Sequence, residues 1–193
     1  ALHPRTRVRV AEARSADGGR VAAVVIGHPA DVDHDERDVD AVTERAAREL
    51  ARGLDAMIEY VSALAGRFNV LAVEGTLVTA VPDTCATQSM YWSLRGGRFV
   101  LSTHVELVAA AVDAPVNEAG IRRVERLGSI RPGMTRFFAG IETPYDDVLP
   151  VIANCRLTWD SRRGTASHRR FYPLGRELRP ADRDSVYASF REV

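Results

Sequence analysis

Valine and arginine alternate at the start of the chain. Val8 and Val10 stand opposite Arg7 and Arg9, so residues 5–13 predict a strand with one wet face. Asp17-Gly18-Gly19 supplies turn residues, and residues 20–26 return as a second strand to complete an opening hairpin. The core of that strand, Val21-Ala22-Ala23-Val24-Val25-Ile26, is apolar throughout and is expected to be buried on both faces. An acidic loop runs from Asp31 to Asp40. After it Val42, Ala46, Leu50, Leu54, Met57, Ile58, Val61 and Leu64 recur at helical spacing, with arginine and glutamate on the other side. Gly53 is expected to split this stripe into two helices, and Gly66 to end it as a left-handed cap.

From Arg67 the period shortens to that of strands. Residues 68–73 and 76–81 flank a turn at Glu74-Gly75, and residues 89–94 and 98–102 flank another at Gly96-Gly97. Two successive hairpins imply an antiparallel sheet. Residues 105–112 read as a short helix, and Asn117 as the N-cap of another over 118–127. Pro132-Gly133 marks a loop, Pro144 and Pro150 bracket a short ordered piece, and residues 151–159 with 167–172 form a last hairpin around Arg162-Arg163-Gly164. Helices before, between and after antiparallel hairpins define the α+β class.

Length and charge narrow the function classes. A chain of 193 residues suits one domain, and 26 basic residues against 26 acidic ones leave no electrostatic drive toward nucleic acid or membrane surfaces. Every basic residue is arginine, which removes Schiff-base and P-loop lysine chemistry. Cys85 and Cys155 have no metal-ligand spacing and read as buried thiols in a reducing cytosol. The longest apolar stretches, 21–26 and 105–112, are too short to cross a bilayer, and no signal peptide opens the sequence, so a soluble cytoplasmic protein is expected.

Several clusters could carry chemistry. His28-Pro29-Ala30-Asp31-Val32-Asp33-His34-Asp35-Glu36 is the densest set of potential metal ligands or acid–base groups, but it also reads as a solvated loop entering a helix, which is the expectation adopted. Cys85 with His104 would make a thiolate–base pair if they met, against the simpler reading of an inert buried thiol. Tyr91-Trp92 and Phe137-Phe138 are expected in the core, and His3, His34 and His168 in solvent. Arg162-Arg163 and Arg169-Arg170 form the strongest local basic patch, by default a solvated hairpin and otherwise a docking surface for an acidic partner.

Four segments carry a resemblance. Leu64-Ala65-Gly66-Arg67-Phe68-Asn69-Val70-Leu71-Ala72-Val73 is similar to the L-x-G-x-F-A-F-A strand of asparagine synthetases. Val81-Pro82-Asp83-Thr84-Cys85-Ala86-Thr87-Gln88-Ser89-Met90-Tyr91-Trp92 resembles their R-D-x-x-G-x-x-P-L-Y-Y segment, and Phe99-Val100-Leu101-Ser102-Thr103-His104-Val105-Glu106-Leu107 their F-x-F-A-S-E-x-K-A-L. Thr143-Pro144-Tyr145-Asp146-Asp147-Val148 through Asn154-Cys155-Arg156-Leu157 to Arg169-Arg170-Phe171-Tyr172-Pro173 resembles the stretch that leads toward the synthetase domain. The chain thus resembles the amino-terminal glutaminase-like domain of the asparagine synthetase family over residues 64–173.

The resemblance implies an αββα sandwich of antiparallel sheets, of the N-terminal-nucleophile hydrolase type, over residues 1–173. Residues 174–193 are expected to be a linker or the start of a synthetase domain. Active members use an amino-terminal cysteine whose own α-amine is the base. This sequence starts Ala1-Leu2-His3-Pro4, and neither Thr6 nor Ser15 stands at its start. Gly27-His28-Pro29 is the nearest match to the family's oxyanion segment, with histidine where an asparagine amide is expected. The expectation is therefore a chain that is no enzyme on its own, with no catalytic residue, no assigned substrate-binding residue and no metal site. It would be a scaffold like that of β-lactam synthetases and lasso-peptide cyclases. ATP and Mg would belong only to a C-terminal synthetase domain or separate synthetase chain, because no S-G-G-x-D-S loop occurs here. A stand-alone module binding a partner protein or precursor peptide is the alternative, and an upstream segment supplying a nucleophile is a third reading.

Overall fold

A computed structural model describes residues 7–130, 138 and 140–171. The opening hairpin is present as β1 (Val8–Arg14) and β2 (Arg20–Ala30), closed by Ser15 N–H donating to Gly19 O at 2.9 Å. Helices α1 (Val39–Arg52) and α2 (Leu54–Ala63) follow and break at Gly53, whose φ of 138° is open to glycine and strained for other residues. Asp38 caps α1 by accepting from Asp40 N–H at 3.0 Å.

Next come β3 (Ala65–Glu74), β4 (Leu77–Pro82), β5 (Tyr91–Arg95), β6 (Arg98–Ser102), α3 (Val105–Val112) and α4 (Glu118–Ile130). Asn117 accepts from Gly120 N–H at 2.8 Å, which makes it the expected N-cap of α4. The two-residue β7 (Leu149–Pro150) and a last hairpin, β8 (Cys155–Asp160) and β9 (Thr165–Arg170), complete the described elements.

The strands form two antiparallel sheets, one ordered β1-β2-β3-β4-β8-β9 and the other β6-β5-β7. The two central hairpins thus belong to different sheets, where the sequence implied one. Alternation sorts the side chains of the larger sheet. On one face Val21, Val25, Phe68, Val70, Ala72 and Val81 meet Val42, Leu50, Met57, Ile58 and Val61 of α1 and α2. On the other, Leu71, Ala80, Leu157 and Ala166 meet Trp92, Phe99 and Leu101 of the smaller sheet, and Phe99 stacks on Trp159 at 4.8 Å. Val105, Val108 and Ala109 of α3 pack on the outer face of that sheet with Tyr91 and Val100. The layers are helix, sheet, sheet, helix: the αββα sandwich.

Three expectations change. Gly66 is no helix cap; it lies inside β3 opposite Pro29, and a Cβ there would overlap the carbonyl oxygen of His28. The helix ends earlier, at Ala63, with Leu64 already extended. β2 is not buried on both faces: its odd-numbered residues are sealed by the helices, whereas Ala22, Val24 and Ile26 are only half-buried and Val10 of β1 is 62% exposed. Three strands are too few to cover six. His168 does not face solvent; it sits half-buried between the sheets with Nε2 enclosed and unpartnered.

The loop at 132–133, His3, Phe137 and residues 172–193 lie outside the described residues. No helix among the described residues is long and apolar enough to cross a membrane.

Phe68 is fully buried at the centre of the helix-facing core, so Phe68→Ala is expected to cost about 3–5 kcal/mol in chemical denaturation. Burial pushes the His168 imidazole below its usual 6.5, so the folded state binds a proton less readily than the unfolded chain. Stability should therefore fall as pH drops through 6.5 toward the depressed folded value and level off below it, and His168→Gln should flatten that slope in denaturation midpoints.

Candidate functional site

Polar and conformationally special residues converge where β2 ends. Gly27, at φ 114°, lies opposite Phe68, and a Cβ there would overlap the carbonyl oxygen of Arg67 and stand 2.9 Å from Phe68 Cα and 2.7 Å from Gln88 Oε1. Only glycine lets the three segments close. Its N–H donates to Arg7 O at 2.9 Å, so the amide is already committed.

The loop touching Gly27 is built by Asp83. This buried carboxylate accepts from the N–H groups of Cys85 (3.1 Å), Thr87 (3.0 Å) and Gln88 (3.2 Å) and from the Thr87 hydroxyl (3.0 Å). Four donors on two oxygens offset the cost of burying the charge. Asp83 N–H in turn donates to Phe68 O at 3.0 Å, tying the loop to β3. Asn69, opposite both Ile26 and Pro82, is 0% exposed and donates to Gln88 O at 3.3 Å, while its Oδ1 has no partner. The L-x-G-x-F-A-F-A pattern has alanine at the position of Asn69.

A second cluster lies beyond β2. Asp31, 5% exposed, accepts from His34 Nδ1 at 2.9 Å and Arg45 Nη1 at 3.3 Å, and its backbone exchanges two hydrogen bonds with Glu36 across a four-residue loop. Burial opposes the charge of Asp31, but hydrogen bonding from His34 and from the Tyr60 hydroxyl, with the charges of His34 and Arg45, outweighs it and holds the carboxyl below the ordinary carboxylate range. Arg45 also stacks over the Tyr60 ring at 5.1 Å. The solvated-loop expectation for residues 28–36 thus holds for Asp33 and Asp35, whereas His28, though exposed, belongs to β2 opposite Arg67 and Asp31 is buried. No group of three His, Cys, Asp or Glu side chains among the described residues is arranged to hold a metal ion.

The other candidates separate. Cys85 is exposed in the Asp83 loop, contrary to its expected burial, whereas Cys155 is buried as expected. His104 precedes α3 and bonds Thr103 Oγ1 at 2.9 Å, so Cys85 and His104 sit on different elements and share no hydrogen bond. Tyr91 and Trp92 pack in the core, on opposite faces of β5. Arg162 and Arg169 are exposed, as the hairpin reading requires, and Arg163 pairs with Asp160 at 3.5 Å. The role of Asp83 was missed in the sequence, although aspartate preceding Thr-x-x-Thr across a strand break signals such a loop.

No family model and no curated protein matches the sequence. Solved structures do. The allosteric regulatory enzyme of purine biosynthesis superposes with a TM-score of 0.54 at 14% identity, covering 84% of this chain and 31% of its own. Glutamine phosphoribosylpyrophosphate amidotransferase from B. subtilis, complexed with ADP and GMP, gives 0.53 at 15% identity with the same coverage. The chain therefore shares its αββα fold with these two structures, and it spans about a third of the length of these enzymes. That corrects the expectation of a chain that is no enzyme on its own. The structures sharing its fold are enzymes, and the argument from Ala1 falls because residues 1–6 lie outside the described residues and nothing about a nucleophile follows from where the sequence starts.

Asp83→Ala removes all four loop bonds. It is expected to cost on the order of 3 kcal/mol and to speed hydrogen exchange at the amides of Cys85, Thr87 and Gln88 while leaving β6 and α3 protected.

Proposed function

We propose that this chain is the glutamine-handling domain of a longer enzyme that forms or transfers an amide nitrogen, with asparagine-synthetase-like organisation. The observation that carries the reading is the αββα sandwich shared with an amidotransferase, combined with four segments in asparagine-synthetase order. Those segments fall on consecutive parts of one framework: β3, the Asp83 loop with β5, β6 with α3, and the stretch from Thr143 through β9.

On this reading glutamine addresses the end of β2. The Asp83 loop holds that end rigid without itself reacting. ATP and Mg act in another part of the longer polypeptide, where the carboxylate partner is activated.

The test is the natural full-length polypeptide with glutamine labelled at its amide nitrogen. Glutamate should accumulate and the label should appear in ammonia or an amide product. Absence of glutamate above the no-protein background at millimolar glutamine, with ATP and candidate acceptors present, would overturn the proposal.

A further inference from the structure

Positive charge is gathered at one edge of the larger sheet. The β8–β9 hairpin, residues 155–170, carries five arginines against one aspartate, although the whole chain balances 26 basic residues with 26 acidic ones. Asp160 is consumed by its own turn, where it accepts from the N–H groups of Arg162 and Arg163 and pairs with the Arg163 guanidinium. Arg156 is answered by Asp55 of α2 at 3.1 Å. Arg162, Arg169 and Arg170 are exposed, and none pairs with a carboxylate among the described residues. Arg169 also lies directly opposite Arg156, a like-charge cross-strand pair that costs stability and for which Asp55 supplies a single countercharge.

The same strand offers backbone. β9 is outermost in its sheet, with no described strand beyond it. Phe171 N–H donates to Asn154 O at 2.9 Å in the register of the β8–β9 pairs, so the odd-numbered residues of β9 bond inward to β8. The N–H and C=O groups of Ala166, His168 and Arg170 therefore point outward along an open edge. At the opposite edge of the sheet, Arg9 and Glu12 of β1 already have partners in Asp40 and Arg20.

We propose that the β9 edge takes up an extended acidic segment of a partner protein as an added strand. Ala166, His168 and Arg170 supply the backbone ladder, and Arg169 and Arg170, on opposite faces of the strand, select two consecutive carboxylates in the guest. Charge decides among the guests. A second copy of this chain, pairing β9 with itself, doubles the excess of arginine. Nucleic acid offers no peptide groups to the open edge, and a chain of zero net charge has no general attraction for it. This surface is independent of the glutamine reading, since it shares no residue with the Gly27 junction or the Asp83 loop.

The test is titration of the isotopically labelled natural polypeptide with the capped peptide Val-Glu-Glu-Val-Thr-Val-Thr, against Val-Gln-Gln-Val-Thr-Val-Thr and oligo-dT as comparison probes. The acidic peptide should bind saturably at one per chain and slow hydrogen exchange at the amides of Ala166, His168 and Arg170 about tenfold or more. The glutamine peptide, or Arg169→Gln in the protein, should weaken binding about tenfold. Ala166→Pro removes an outward N–H without touching a bond to β8 and should abolish binding. No saturable binding at millimolar acidic peptide, equal binding of the glutamine peptide, indifference to Arg169→Gln, or tighter binding of oligo-dT overturns the proposal. So does protection of the three amides before any peptide is added, which would mean that the chain's own residues occupy the edge.

Discussion

The ten-pair ladder between β2 and β3 is the constraint on which the rest of the molecule depends. It passes two points where the backbones come too close for a side chain, Gly27 opposite Phe68 and Gly66 opposite Pro29, each glycine holding a positive φ. Because the strands close at those points, Phe68 and Val25 are drawn onto the same face, where Met57 and Ile58 of α2 seal them. The same closure leaves room at the end of β2 for only a tightly folded loop, and Asp83 folds it. Packing and site geometry are therefore consequences of one backbone approach.

Two buried carboxylates flank that approach and are neutralised by different means. Asp83 is held by three backbone N–H groups and a hydroxyl, a rigid arrangement that needs no countercharge. Asp31 relies on side chains, His34 from its own loop and Arg45 from α1, so it couples the loop after β2 to the helix layer. Both buried charges are thus compensated locally, one arrangement stiffening the sheet end and the other tying the loop after β2 to α1. In the proposed role the Asp83 arrangement serves the end of β2 by fixing its backbone.

Much of the fold was legible because it is written in local patterns. The helical stripe with its break at Gly53, the bounds of β6 and α3, the cap at Asn117 and the turn at Gly96-Gly97 all follow from short-range periodicity and turn chemistry. What failed was long-range. Gly66 has the composition of a helix end, and only its pairing with Pro29 reveals a strand position. The two central hairpins look alike in sequence, and only side-chain burial on opposite faces divides them between sheets. An all-apolar β2 suggested two covered faces, yet the narrow second sheet leaves Val24 and Ile26 half-buried. Asp31 was hidden among exposed acidic neighbours, since its partners Arg45 and Tyr60 come from other elements. The resemblance gave the layered architecture correctly; the inference from Ala1 to absent activity did not survive, because it took the start of the sequence as the start of the catalytic chain.

The most direct measurement is glutamine titration of isotopically labelled natural protein followed by amide chemical shifts. If the end of β2 is the glutamine site, the largest saturable shifts fall on residues 26–30 and on the Asp83 loop through Gln88. Shifts confined to other surfaces, or none at saturating glutamine, would contradict the account.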